Sequence, residues 1–301
     1  MLARVPFRDL DGVVLLDKPK GISSNRALQN VRFLYRAKKA GHTGALDPLA
    51  TGLLPICFGE ATKFSQFLLD ADKVYQVTAK LGERTDTSDA EGEVVQIRPT
   101  EQLTVEEIED AIKSFVGKQS QMPSIYSALK YQGKPLYFYA RQGIEVPRPV
   151  REIEVYFINI DEIDLPNVTM TISCSKGTYI RTIVDDLGEK LGCGAHVAEL
   201  RRTEVFGFSE SDILSLEAFE ALSEAELEAR LLGSDAGISY MPIIELDDEH
   251  AARLGNGQRF YVEQEPGSYR AYNQNTNQFL GVVQVEDNKL LQPKRMMSVQ
   301  S

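Results

Sequence analysis

The segment GHTGALDPLATGLLP, from Gly41 to Pro55, places one carboxylate and one imidazole among closely spaced glycines. Asp47 supplies the carboxylate and His42 the imidazole. A carboxylate in a flexible, glycine-flanked loop could act as a nucleophile or as a general base. Asp47-Pro48 is also an ordinary turn dipeptide, so these residue types alone leave a purely structural role open.

Other signatures of enzyme chemistry do not occur in the sequence. It has no GxxxxGK[ST] phosphate loop, no GxSxG or HExxH motif, and no dinucleotide fingerprint after Gly192. The acidic loop DTSDAEG (Asp86–Gly92) lacks the spacing of a calcium loop and is interpreted as a solvated turn. The cysteines form no CxxC pair, which argues against a disulfide framework or a zinc site and predicts small buried side chains: Cys57, Cys174 and Cys193.

The elements that must position the Asp47 loop follow from caps and hydropathy patterns. Ser23 and Ser24 are candidate caps of a helix that runs to about Arg36, and Thr104 with Glu107 forms a capping box for a helix ended by Gly117. A further helix is predicted from Thr178 to about Gly192. Two more helical segments are Gly59–Leu69 and Leu214–Leu232, and the predicted strands are Gly12–Leu16, Lys73–Leu81, Glu152–Ile160, Val168–Cys174 and Phe279–Val285.

Charge is distributed unevenly along the chain. The net charge is −11, but residues 1–80 hold 12 Lys or Arg against 7 Asp or Glu, whereas Ser209–Glu249 holds 12 acids and the single base Arg230. A basic face therefore remains possible near the N-terminus. No signal-like start and no apolar run long enough to span a bilayer is present, so we expect a cytoplasmic protein without membrane contact.

The Gly41–Pro55 loop closely resembles the signature loop of the TruB family of pseudouridine synthases. Four more segments resemble that family in the same order: DKPKGISSN (Asp17–Asn25), Gly59–Gly92, Tyr126–Arg148 and CSKGTYIRTIVDDLGEKLGCGAHVAELRR (Cys174–Arg202). The resemblance covers most of the first two hundred residues. Met122-Pro123-Ser124 departs from the two prolines that many members carry.

The resemblance implies an α+β fold with a mixed, mainly antiparallel central sheet. The catalytic domain would span residues 1–249, with an RNA-contacting, irregular insertion at about 120–150. A linker at Met241–Glu249 would lead to a small β-rich, PUA-like RNA-binding domain at 250–301. RNA would lie on the basic N-terminal face and the insertion, and the acidic stretch would face away from it.

The activity implied is isomerisation of the uridine at position 55, in the T loop of tRNA, by a monomer that needs no cofactor and no metal. Asp47 would be the catalytic carboxylate, Arg181 its cationic partner, and Tyr75 the ring against the target base. His42 would take part in flipping nucleotides out of the loop. Further substrate-binding residues implied by the matching motifs are Lys18 and Lys20, which would lie near RNA, Lys63, Tyr179 and Leu200, which would line the uracil pocket.

Two other functions remain open. A tRNA-folding chaperone that binds and remodels the T arm would need the same basic face and the same base extraction. A glycosidase that releases uracil would break the same bond. The presence of Asp47, Tyr75 and Arg181 together favours the isomerase.

Overall fold

The computed structural model describes residues 6–127, 129–205 and 207–298, which form a large sheet, a smaller C-terminal sheet, two short hairpins and surrounding helices. The first part of the chain contains these elements: β1 (Gly12–Lys18), α1 (Ser24–Leu34), β2 (Ala40–His42), β3 (Thr51–Phe58), a 3₁₀ helix (Gly59–Phe64), α2 (Ser65–Leu69), β4 (Lys73–Leu81), β5 (Glu83–Thr85), β6 (Val94–Ile97), α3 (Val105–Lys113) and β7 (Gly117–Gln121).

The middle of the chain completes the large sheet. Its elements are β8 (Lys130–Tyr131), β9 (Lys134–Pro135), α4 (Leu136–Ala140), β10 (Arg151–Asp164), β11 (Asn167–Cys174), α5 (Ile180–Lys190), β12 (Ala195–Val205), a 3₁₀ helix (Glu210–Asp212), β13 (Leu214–Ser215), α6 (Leu216–Ala221), α7 (Glu224–Ala229) and a 3₁₀ helix (Ala236–Ile238). The strand order is β13-β1-β3-β12-β4-β11-β10-β7, with β2 paired to β3. Among the described residues of this large sheet, only the β1–β13 and β3–β12 strand pairs are parallel, which confirms a mixed, mainly antiparallel sheet.

The C-terminal part forms the smaller sheet, in the order β14-β16-β17-β18-β15. Its elements are β14 (Ile243–Leu246), α8 (Asp248–Gly255), β15 (Phe260–Tyr261), β16 (Gly267–Asn273), β17 (Gln278–Val285) and β18 (Leu290–Met296). The interpretation of residues 241–249 as a linker is wrong, because β14 lies there and pairs with β16. The smaller sheet therefore begins before the predicted boundary at 249/250.

Local signals account for several elements. The Ser23 hydroxyl accepts a hydrogen bond from the Arg26 amide at the start of α1, and Thr104 with Glu107 makes the predicted capping box of α3. Strand β4 has the predicted bounds.

The predicted helix at 59–69 is mostly 3₁₀, and the predicted helix at 214–232 is broken into α6 and α7, each capped by its own serine. The insertion is less irregular than predicted, since it contains the β8–β9 hairpin and α4.

The acidic stretch lies against the basic N-terminal region rather than apart from it. Glu228 accepts a hydrogen bond from Arg8 at 2.5 Å, and Glu224 pairs with Arg36. Part of the basic surface is therefore neutralised within the fold, and the expectation that the acidic stretch faces away from RNA stays a prediction. Arg26 on α1 stays exposed.

The main core brings β4, β11 and α5 together under the Asp47 loop. It contains Val77, Ile172 and Val184, each fully buried, and it also contains three residues of the loop itself: Leu46, Leu49 and Ala50. All three cysteines are buried and free, as predicted. Among the described residues, no helix is long and apolar enough to cross a membrane.

Candidate active site

Five of the predicted site residues line one cleft of about 390 Å³: Asp47, Tyr75, Tyr179, Arg181 and Leu200. This volume lies within the range of about 300–1,000 Å³ that is typical of small-molecule sites. The residues come from the loop before β3, from β4, from the start of α5 and from β12. The cleft therefore depends on strand pairing between distant parts of the chain.

The Asp47 loop is held firmly, and the expectation of a flexible loop is wrong. The Ser24 hydroxyl bonds both the amide and the carbonyl of Leu46, at 2.7 and 2.9 Å. The Gly21 amide donates to the Pro48 carbonyl at 2.8 Å. With Leu46 and Leu49 also buried in the core, the carboxylate of Asp47 is presented from a rigid support.

Arg181 is the direct partner of Asp47. Its Nε lies 2.9 Å from Asp47 Oδ2, and its Nη1 lies 3.3 Å from Asp89 Oδ2. The same guanidinium donates to the carbonyls of Thr87 and Tyr126, at 3.1 and 2.8 Å. Because the Arg181 side chain is only 5% exposed, this set of acceptors fixes its plane and aims it at Asp47.

The protonation of Asp47 is set by opposing effects. Burial raises the pKa of the carboxyl above its usual value; the Arg181 and Lys18 charges lower it, and the Asp89 charge raises it. The net effect is a raised pKa of Asp47. The side chain keeps 40% exposure, but its free surface opens into the cleft rather than onto the outer surface. The arginine is therefore needed to favour the ionised form.

Tyr75 projects from β4 into the cleft and packs against the core. Burial raises the pKa of its phenol, while the Arg202 charge opposes that rise. Tyr179 and Leu200 flank the same space. Gln121 holds Tyr179 by accepting from its amide and donating to its carbonyl, at 2.8 and 3.1 Å.

Four predicted residues do not line the cleft: Lys18, Lys20, His42 and Lys63. The expectation that Lys18 lies near RNA is wrong, because the side chain is completely buried and donates to the carbonyls of Pro19, Pro48 and Ala50. Lys18 therefore supports the Asp47 loop from beneath. Lys20 is exposed at the end of β1.

Lys63 and His42 are engaged elsewhere. Lys63 pairs with Glu60 at 2.6 Å and donates to the Met296 carbonyl and the Ser298 hydroxyl, so it joins the 3₁₀ helix to the C-terminal end of the smaller sheet. His42 lies at the end of β2, and its Nδ1 is buried without a hydrogen-bond partner among the described residues. Burial and the Arg202 charge lower the pKa of His42, which favours the neutral imidazole.

Sequence reasoning missed buried charges beside the cleft, among them Asp89 and Arg202. The interpretation of Asp86–Gly92 as a solvated turn is wrong at Asp89, which is 3% exposed and pairs with Arg181. Arg202, which is 1% exposed, lines the cleft on β12. Asp89 has no distinctive local signal, whereas Arg202 follows the apolar positions of a strand that the hydropathy pattern did not reveal.

Comparisons with known proteins agree with this architecture. The family model described as "TruB family pseudouridylate synthase (N terminal domain)" matches residues 32–180. Two C-terminal models follow: "tRNA pseudouridylate synthase B C-terminal domain" at 181–239 and "Pseudouridine synthase II TruB, C-terminal" at 242–297.

Similar chains and structures extend over nearly the whole protein. Proteins named tRNA pseudouridine synthase B from Mannheimia succiniciproducens and Pasteurella multocida are 52% and 51% identical, covering 97% of this chain and 97% and 96% of theirs. A solved Cbf5-Nop10-Gar1 complex contains a chain of similar fold, with a TM-score of 0.68 at 23% identity, covering 92% of this chain and 79% of that one. From the matched family models and these relatives, the chain belongs to the TruB family of pseudouridine synthases.

Proposed function

We propose that this enzyme converts the uridine at position 55 in the T loop of tRNA to pseudouridine and that Asp47 is its catalytic carboxylate. The printed names of the 51–52% identical relatives support tRNA as the substrate. The observation that carries the role of Asp47 is its contact with the buried Arg181 guanidinium, at 2.9 Å, in a cleft that also holds an aromatic ring.

The isomerisation breaks the N1 glycosidic bond, turns the uracil while it stays bound, and joins C5 to the sugar before C5 loses its proton. A carboxylate can attack the sugar, remove a sugar proton or add to the base. All three routes require an ionised Asp47 that points into the cleft. The Arg181 contact favours that state, and the anchored loop limits the directions in which the carboxylate can move.

The other cleft residues have separate tasks in this proposal. The Tyr75 ring stacks on the uracil, and its phenol oxygen, after giving its own proton to water, takes the C5 proton. Leu200 contributes an apolar wall. Exposed Lys20 contacts RNA outside the cleft, and His42 takes part in nucleotide flipping. The PUA-like C-terminal unit contacts RNA as well, and the enzyme acts as a monomer in the cytoplasm.

The test is tritium release from tRNA transcript labelled at C5 of uridine. Asp47→Asn and Asp47→Ala should abolish release while tRNA binding persists. Asp9→Asn is the matched control, because Asp9 is an exposed carboxylate that pairs with Lys38 outside the cleft. An isolated T-arm stem-loop should suffice as substrate.

Each competing outcome has a distinct meaning. Full activity of Asp47→Ala would contradict the role of Asp47. Free uracil in the reaction would identify a glycosidase. A strict need for the anticodon arm would contradict recognition of the T loop.

A further inference from the structure

Arg202 is a second buried guanidinium at the cleft, and the expected chemistry has no use for it. Its side chain donates from Nε to the Leu53 carbonyl at 2.8 Å and from Nη2 to the Gly44 carbonyl at 3.1 Å. On the neighbouring strand β4, Tyr75 lies directly opposite Arg202, and both side chains line the cleft. One planar group therefore contacts strand β3 and the loop that carries Asp47, and it lies beside the ring proposed to hold uracil.

The backbone of Arg202 is fixed as closely as its side chain. On β12 it lies opposite Gly52 of β3 on one side and Tyr75 of β4 on the other. Gly52 has φ +96°, and a Cβ atom there would lie 2.3 Å from the Arg202 carbonyl oxygen. Only glycine allows this approach, so the two strands are locked together at the base of the cleft.

The charge of Arg202 is unusual for a residue that is 1% exposed. Among residues 6–127, 129–205 and 207–298, no carboxylate lies within 4.0 Å of its guanidinium. A buried charge without a counter-ion is costly. Two backbone carbonyls accept its hydrogen bonds, and a neutral amide could satisfy carbonyls at lower cost.

We propose that Arg202 is a positioning residue that holds the Tyr75 hydroxyl at a fixed distance from the Asp47 loop and stabilises negative charge on the phenol oxygen during the reaction. The proposal rests on the proposed function, since it takes Tyr75 and Asp47 to act on the same base. The hydrogen bond to Gly44 sets the loop, and the position opposite Tyr75 brings the guanidinium to the phenol. Both effects come from one rigid guanidinium group.

The experiment is a double-mutant cycle between Arg202 and the Tyr75 hydroxyl. Tritium release is measured in single turnovers at saturating enzyme for the wild type, Arg202→Gln, Tyr75→Phe and the double variant, and tRNA affinity is measured separately. Arg202→Gln should slow release by about 10- to 100-fold, as expected for a lost hydrogen bond from a charged donor, and should change affinity by less than about threefold. In the Tyr75→Phe background, Arg202→Gln should slow tritium release by a several-fold smaller factor.

Arg201→Gln is the matched control. Arg201 is the neighbouring arginine of β12, and its guanidinium pairs with Asp17 at 2.9 Å outside the cleft. It should lower Tm without changing the rate of release. A general loss of stability would therefore be separated from a specific loss of positioning.

Arg202→Lys covers the case in which Arg202→Gln does not fold or Tyr75→Phe is too slow to measure. A single ammonium cannot bridge Gly44, Leu53 and Tyr75 together, so the lysine variant should also release tritium slowly. Wild-type release by either Arg202 variant, or equal costs in both Tyr75 backgrounds, would overturn the proposal. If Asp47→Ala is inactive and the Arg202 variants release tritium normally, only this inference is contradicted. If Asp47→Ala is active, the proposed function is contradicted.

Discussion

Removing the Arg181 guanidinium is the sharpest test of the electrostatics of the cleft. Arg181→Met keeps an unbranched side chain of similar reach but leaves the carboxylates of Asp47 and Asp89 facing each other without the cation between them. Breaking a buried ion pair costs about 3–5 kcal/mol. Because the Asp47 side chain is 40% exposed, we expect the lower end of that range.

The free-energy cost of losing this ion pair should appear mainly as a slower reaction. About 3 kcal/mol corresponds to about a hundredfold slower release if it acts on ionised, correctly aimed Asp47. The sign of the pH effect follows from the charges: burial raises the pKa of Asp47, and Arg181 opposes that rise. Without Arg181 the pKa moves further up, so the acidic limb of the rate profile should shift to higher pH and the defect should be largest at low pH.

The assay is single-turnover tritium release between about pH 5.5 and pH 9, with tRNA affinity measured alongside. Arg84→Met is the control, because Arg84 pairs with Asp185 of the same helix α5 at 2.7 Å outside the cleft. It should affect stability without moving the pH profile. A wild-type rate and an unshifted acidic limb in Arg181→Met would refute the argument that this cation keeps Asp47 ionised.

Two more predictions concern Tyr75 and Lys18. Tyr75→Phe should bind tRNA almost normally but release little tritium, whereas Tyr75→Leu should also lose a stacking contact of about 1–3 kcal/mol; normal release by Tyr75→Phe would reduce the residue to a stacking platform. Burial lowers the pKa of Lys18 from 10.5 to about 8. Between these two pH values the unfolded chain binds more protons than the folded chain does. The free energy of unfolding therefore rises with pH, by about 1 kcal/mol per pH unit for this group. Lys18→Met should flatten that rise in urea denaturation between about pH 8 and pH 10, leaving the share of Lys73, whose pKa burial also lowers to about 8. An unchanged slope would contradict the burial of the Lys18 ammonium.

Short-range signals in the sequence were enough for several elements. The Ser23 cap, the capping box at Thr104 and the alternation of Lys73–Leu81 each act within a few residues, and the structure confirms all three. The same reasoning failed where capping serines interrupt an acidic segment. It predicted one helix at 214–232, whereas Ser215 and Ser223 start separate helices.

The candidate site was predicted from its motifs, but the contacts that give each residue its role were not. The sequence identified Asp47, Tyr75 and Arg181, which lie in three segments separated along the chain. The family resemblance also placed Lys18 near RNA, because a matching motif does not distinguish an exposed ammonium from a buried one. The structure assigns Lys18 to three carbonyls under the loop.

What the sequence by itself determined was the family resemblance, the α+β class and the set of candidate residues for the chemistry. Tertiary structure decided which charges meet. Arg202 lines the cleft only because β12 pairs with β3 and β4, and Asp89 meets Arg181 only because α5 directs that arginine between two loops. Such contacts join residues more than 90 positions apart, as between Thr87 and Arg181, and strand pairing over that distance leaves no periodic trace in the local sequence.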